Sequence, residues 1–275
     1  MKSLLRYSYI VIALCAAAAT AWACTTKVSE WTMLNLQPTS YMLVYYSDRD
    51  IDSATQAQHN SIEESIKDAN IFLQTVDTRS FKYDHERDYF AMTGREKLPF
   101  YALFYMNRFM GAYNGDNLPV NLTTSKIRST IAEHLKEGEL CVLVYLETGD
   151  RLKDAAGRQT VQRALQKSIL KDIVPVVTVT RTDKEESAFV DLLLQTDKGL
   201  TGLNEPMLFG AFGRFRVLEP LVGDAVTEEN IEYMMQFLTM DCSCLVKYNM
   251  PGIDMLHTDD WYDIRPAKLN VIITQ

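Results

Sequence analysis

The sequence predicts an α/β fold built from two tandem units with mixed sheets. The first observation is an internal repeat, in which a proline opens an apolar run, a turn carries Arg-Phe, and a glycine leads into a helix. The two copies are marked by Pro99 and Pro206, by Arg108 and Arg214, and by Gly115 and Gly223. Their offsets stay between 106 and 108 residues, which indicates a duplication. The second observation is that strand-like and helix-like segments alternate in both copies.

In the first unit, apolar runs between polar turns predict the strands, and apolar residues one helical turn apart predict the helices. The predicted strands are 41–46, 71–77, 99–106 and a return strand that ends near Gly115. Helices are predicted from Ser61 through Ile66, weakly within 83–95, and over 123–136. His59 lies in a polar segment and is predicted to be a surface residue.

The second unit repeats this order. Its predicted strands are 141–146, 174–180, 206–212 and 215–218, and its predicted helices are 159–170, 187–195 and 227–238. In the last helix Thr227 is placed to cap the N-terminus, and Ile231, Met235 and Leu238 form the apolar face. The order of strand, helix, strand, helix, hairpin and helix indicates mixed sheet pairing.

Residues 1–23 have the form of a signal peptide. Lys2 and Arg6 precede an apolar stretch that is short for a membrane span, and Ala21-Trp22-Ala23 has the small-x-small cleavage pattern. We therefore expect export to the periplasm or the extracellular space. Without residues 1–23 the formal charge falls from −8 to −10, which disfavours nucleic acid and anionic membranes as partners.

The predicted organisation is a signal peptide at 1–23, units at 24–138 and 139–240, and a tail at 241–275 with a Cys-x-Cys motif. Four cysteines remain after cleavage: Cys24, Cys141, Cys242 and Cys244. Cys141 begins an apolar strand and is predicted to be a buried thiol. In an oxidising compartment the other three are disulfide candidates.

The element order, with a proline at the start of the third strand, resembles the thioredoxin fold over residues 40–137 and 140–240. The resemblance implies two tandem thioredoxin-like three-layer α/β/α units. In that family the proline is cis and faces the redox site. The resemblance therefore implies that Pro99 and Pro206 both follow cis peptide bonds and that both prolines line a binding groove.

The family's Cys-x-x-Cys motif is missing from both units. Thioredoxins carry it between the first strand and the first helix, where the helix N-terminus lowers the pKa of the attacking thiol. The matching loops here are 47–52 and 147–151, and neither contains a cysteine. The resemblance therefore implies a binding or assembly module without catalysis or cofactor, and another envelope protein is the expected partner.

Three interpretations remain open for Cys242 and Cys244. In the first interpretation, either Cys242 or Cys244 forms a disulfide with Cys24 and fixes the mature N-terminus to the tail. Alternatively the two form a redox pair and the protein is a thiol-disulfide oxidoreductase, although they follow a helix C-terminus and no helix N-terminus is expected beside them. In the third, Cys242, Cys244 and His257 bind a metal ion.

Cys24 has an alternative of its own, because a cysteine at the first mature position resembles a bacterial lipoprotein signal. Ala23 fits that signal, whereas Ala21 stands where leucine is usual and Trp22 is bulky. If Cys24 carries a lipid, the protein is anchored at a membrane surface.

Overall fold

The computed structural model describes residues 26–95, 97–115 and 118–265. The predicted signal peptide and Cys24 lie outside the described residues. The first unit contains α1 Val28–Asn35, β1 Tyr41–Ser47, α2 Ser53–Ile66, β2 Ile71–Asp77, α3 Asp84–Met92, β3 Phe100–Tyr105, β4 Arg108–Asn114 and α4 Lys126–Lys136. All four strands predicted in this unit are present, and β2 has the predicted bounds.

The second unit and tail contain β5 Val142–Glu147, α5 Arg151–Lys167, β6 Val176–Thr180, α6 Ser187–Leu194, β7 Met207–Phe212, β8 Arg216–Val217, β9 Leu221–Val222, a 3₁₀ turn Gly223–Ala225, α7 Glu228–Thr239, α8 Cys244–Tyr248 and β10 Ile253–Asp254. Thr227 accepts a hydrogen bond from the Asn230 amide and caps α7 as predicted. The sequence patterns did not predict α1, α8, β9 or β10, which are all short.

The two sheets share one topology. The first has the order β2-β1-β3-β4, with β1 parallel to β2 and antiparallel to β3. The second contains the matching order β6-β5-β7-β8, with β9 added beside β7 and β10 beside β8. Both units are therefore thioredoxin-like, with mixed sheets.

The peptide bonds before the two repeated prolines differ. Leu98–Pro99 is cis, as predicted, whereas Glu205–Pro206 is not among the cis bonds of the described residues. The prediction was therefore wrong for Pro206. Near this bond, Arg181 donates to the Glu205 carbonyl at 3.0 Å and Lys153 donates to the Glu205 carboxylate at 2.6 Å.

Helices cover both faces of each sheet, so each unit has three layers. On the first sheet, α3 packs against Tyr46 and Phe104, while α2 and α4 cover the opposite face. On the second sheet, α5 and α7 cover the face that carries Leu143 and Tyr145. The remaining faces of both sheets meet α2, α4 and α6 in one core, so the two units share their hydrophobic interior.

The tail crosses from the second unit to the first. Asp254 is buried, forms a 2.8 Å ion pair with Arg216, and accepts a 3.0 Å hydrogen bond from the Tyr105 hydroxyl. Farther along, the buried Arg128 guanidinium donates to the Leu256 carbonyl at 3.1 Å. The tail therefore packs between both units rather than on the second alone.

Helices α2 and α5, which follow the first strand of each unit, begin earlier than predicted. Asp52 accepts a hydrogen bond from the Thr55 amide at 2.7 Å, and Asp150 accepts from the amides of Leu152 and Lys153. An aspartate at the N-cap satisfies amide groups that have no partner within the helix. These first turns carry few apolar residues, so hydrophobic spacing did not indicate them.

Candidate functional site

A cavity of about 350 Å³ lies beside the cis proline of the first unit. We call it the Pro99 corner, and its lining includes Arg49, Gln58, Lys97, Pro99, Asn114 and Gly115. It occupies the position of the redox site in the thioredoxin arrangement, between the β1–α2 loop and the start of β3. None of the described residues in its lining is a cysteine.

The Pro99 corner is lined mainly by polar and charged side chains. Arg49 and Lys97 are exposed cations at this cavity. The Gln58 side chain donates to the Gly115 carbonyl at 3.1 Å and joins α2 to the end of the β4 hairpin. Among the described residues that line this cavity, Arg49 and Lys97 are the charged ones, on a protein that is acidic overall.

Aspartates occupy the two helix N-termini that serve the redox thiol in thioredoxins. Asp52 caps α2 in the first unit and Asp150 caps α5 in the second. The backbone hydrogen bond from Thr55 is the largest cause that lowers the pKa of Asp52. Each N-terminus already binds a carboxylate, so this arrangement fits a site without redox chemistry.

His59 lies in the core near the Pro99 corner, and the prediction that it is a surface residue was wrong. It is 4% exposed, and its ring packs edge-on against Tyr45 with centroids 4.6 Å apart. Its Nε2 atom has no hydrogen-bond partner among the described residues. Burial lowers the pKa of His59, and the charge of Glu63 partly opposes this effect.

At the equivalent corner of the second unit, which we call the Pro206 corner, side chains form hydrogen bonds across the loop before β7. Pro206 is buried there. Lys153 bonds to Glu205, and Arg181 donates to the carbonyls of Leu203 and Glu205. Beneath them the Tyr145 hydroxyl donates to the Asp154 carbonyl at 3.1 Å. Of the two predicted groove residues, Pro99 lines a cavity, whereas Pro206 is buried.

The described cysteines lie away from both corners. Cys141 is fully buried, as predicted, and burial raises its pKa to about 12. Cys242 is fully buried whereas Cys244 is exposed, and the Cys244 thiol forms no disulfide with a described residue. Cys244 is also the first residue of α8, so the expectation that no helix N-terminus lies there was wrong.

The other interpretations of these cysteines stay predictions. The Cys242 amide donates to the Thr26 carbonyl at 2.8 Å, which brings the start of the described chain beside Cys242, but Cys24 itself is not described. For the metal alternative, Cys242 packs in the outer core of the second unit and His257 in the shared core. Among the described residues, no cluster of three His, Cys, Asp or Glu side chains is arranged to hold a metal ion.

Sequence patterns missed Tyr45, Gln58 and Lys97 as cavity residues. Each lies in an ordinary strand, helix or loop segment, and only the fold brings them together. None of the helices that the structure describes has the length and hydropathy of a membrane span.

No family model matches this chain, and no curated protein matches it. Solved structures to which it is similar include the first two thioredoxin domains of Saccharomyces cerevisiae Eps1p, at 11% identity over 72% of this chain and 92% of that one, with a TM-score of 0.26. Human ERp44 in a zinc-bound form has 13% identity over 74% and 56% of the two chains, with a TM-score of 0.25. Because these scores are low, the fold assignment rests on the strand order and helix layers described above.

Proposed function

We propose that this protein is an exported, non-catalytic thioredoxin-like module that binds or assembles another protein of the cell envelope. The observation that carries this proposal is the open Pro99 corner, which keeps the cis proline and a cavity but has no cysteine in its lining. A concave site with a few convergent polar groups suits binding. Without a thiol it has no nucleophile for disulfide exchange.

The charge of the Pro99 corner suggests which part of a partner it binds. Arg49 and Lys97 are exposed there and carry positive charge. Complementary charge selects partners and speeds their encounter. An extended segment with acidic side chains or a free carboxylate is therefore the ligand we expect.

Cavity filling tests the proposal. Gly115→Phe places a ring in the Pro99 corner, because a Cβ at Gly115 lies 3.5 Å from Pro99, an ordinary contact distance. Gly202→Phe is the matched control, since a Cβ there has open space around it. A photo-crosslinking residue at Asn114, an exposed residue of the cavity lining, should join a discrete envelope protein when the protein is exported by its native host.

We expect Gly115→Phe to abolish that product and Gly202→Phe to leave it unchanged. The same crosslinker at Asn204, near the Pro206 corner, should not give the product. If the product survives Gly115→Phe, or forms equally from residue 204, the Pro99 corner is not the binding site. Retention of the full-length, unexported chain in the cytoplasm would contradict the proposed compartment.

A further inference from the structure

The first sheet carries a row of apolar side chains that crosses its four strands. Met42 on β1 pairs with Phe72 on β2 and with Phe104 on β3. Phe104 pairs in turn with Phe109 on β4. Residues that are paired in register point to the same face of a sheet, so these four side chains lie side by side. Phe104 belongs to the apolar cluster on the face where α3 packs, and the row is therefore on that face.

Helix α3 covers the β3 side of this row and leaves the β1 and β2 side accessible. Tyr89 of α3 packs on Phe104 with ring centroids 5.0 Å apart. Met42 is half-buried, and Phe72 is 50% exposed. The apolar side chains that the structure describes in the cluster on this face all come from residues 42–112, so they include none from α4 or the second unit. We call the surface formed by Met42 and Phe72 the Phe72 face.

The equivalent face of the second sheet is covered by a helix. Phe104 and Ala211 each lie five residues after the repeated proline of their unit. Their partners on the first strand of each unit, Met42 and Val142, are therefore equivalent. Helix α4 of the first unit packs on β5 and β6, and Val142 is fully buried in the core that contains the apolar residues of α4.

The two sheets thus differ in what lies over their first two strands. In each unit one helix follows the second strand, α3 in the first and α6 in the second, and packs on the face in question. The second sheet has α4 in addition, supplied by the neighbouring unit. Because both sheets have the same strand order, the second shows that a helix fits over the position that the Phe72 face occupies in the first.

The chemistry of the Phe72 face also favours an apolar helix surface. Met42 and Phe72 carry no charge and no strong hydrogen-bonding group, and exposed apolar side chains gain free energy by leaving water. Helix α4 shows the complementary stripe, with Ile131, Ala132 and Leu135 buried. In a second copy of this chain α4 would already be buried in its own core, so that stripe is not available there.

We propose that the Phe72 face binds an amphipathic helix of a partner protein, in the way that α4 binds the second sheet. Recognition rests on an apolar stripe with side chains one helical turn apart, which is a recurring mode of peptide binding. The Phe72 face and the Pro99 corner lie at opposite ends of the sheet, because Met42 pairs with Phe104 whereas Tyr46 pairs with Phe100. The proposal is therefore independent of the function proposed for that corner.

The test is an NMR titration of the mature full-length protein with labelled methionine methyl groups. The probe is a synthetic peptide of residues 123–138 with blocked ends, which carries α4 together with its N-cap residue Ser125. Met42→Leu assigns the Met42 resonance. The peptide should shift this resonance saturably and leave that of Met235, which is fully buried beneath α7, unchanged. The same peptide with Leu135→Asp, which interrupts the apolar stripe, should cause no shift.

Phe72→Ser removes the exposed ring and should raise the Kd of the peptide roughly ten-fold, as expected when one large apolar side chain no longer contributes. Tyr248→Ser is the matched control, because that ring is exposed on α8 and belongs to the tail. It should leave the Kd unchanged. The buried methionine resonances of Phe72→Ser should keep their positions, which would show that the variant is folded.

Three outcomes would overturn the proposal. The first is no response of Met42 to either peptide, or the same response to both. The second is an equal effect of Phe72→Ser and Tyr248→Ser on the Kd. The third is a dimer in sedimentation that Phe72→Ser converts to a monomer, which would mean that a second copy, and not a partner helix, covers this face.

Discussion

The Pro99 corner and the Pro206 corner occupy the same place in two copies of one fold, yet different contacts bound them. The first is bounded by exposed cations and leaves a cavity of about 350 Å³. At the second, Lys153 and Arg181 bond across to residues 203–205, and Tyr145 packs closely against α5. The same position in the fold is therefore a cavity in one copy and is crossed by hydrogen-bonded side chains in the other.

The largest expected effect comes from adding one methyl group at each corner. In Gly157→Ala the new Cβ would lie 2.0 Å from the hydroxyl of Tyr145, which is fully buried and has little room to move. We expect a loss of about 2–3 kcal/mol in the free energy of unfolding, measured with urea. Gly115→Ala meets only 3.5 Å contacts and should change stability by about 0.5 kcal/mol or less. Equal losses at the two glycines would show that the corners are packed alike.

A smaller effect should be shared by both corners. Asp52→Ala and Asp150→Ala each remove a carboxylate that accepts amide hydrogen bonds at a helix N-terminus. We expect each to lower the Tm by about 2–4 °C. Asp48→Ala is the control, because that exposed carboxylate caps no helix. If Asp48→Ala lowered the Tm as much as Asp52→Ala does, the decrease would come from the loss of a negative charge in the loop and not from the loss of the helix cap.

The smallest effect is a pH dependence that belongs to the first corner alone. Burial lowers the pKa of His59, so the folded protein resists a proton that the unfolded chain accepts near pH 6.5. The stability that depends on neutral His59 is complete above that pH and is lost as the pH falls toward the folded pKa. Amide hydrogen exchange of α2 should therefore speed up on acidification more than that of α5.

His59→Phe keeps the aromatic packing against Tyr45 and has no titrating group. It should remove the difference in pH response between the two helices. If α2 of this variant still responds to acid as the original protein does, another group is responsible.

Much of the fold could be predicted because strands and helices are local patterns. A hydrophobic run predicted β2 with its observed bounds, and the repeated prolines indicated the duplication. The absence of cysteine from the 47–52 and 147–151 loops was equally visible in the sequence. These features depend on residues that are close together along the chain.

The remaining features depend on contacts between distant residues. Asn70 binds the tail at Met255 and His257, far along the chain, and no spacing rule links them. Glu205 likewise bonds to Arg181 and Lys153, which lie far from it along the chain. The Pro99 corner could not be derived from periodicity either, since its lining comes from segments that meet only after folding.

Helix α4 closes the first unit along the chain, yet it packs against β5 and β6 of the second. Its buried residues Ile131, Ala132 and Leu135 belong to the core that both sheets share. A chain cut after residue 138 would leave this apolar surface in water, so neither half has a complete interior of its own. We therefore expect the two copies to form one cooperative folding unit that unfolds in a single transition.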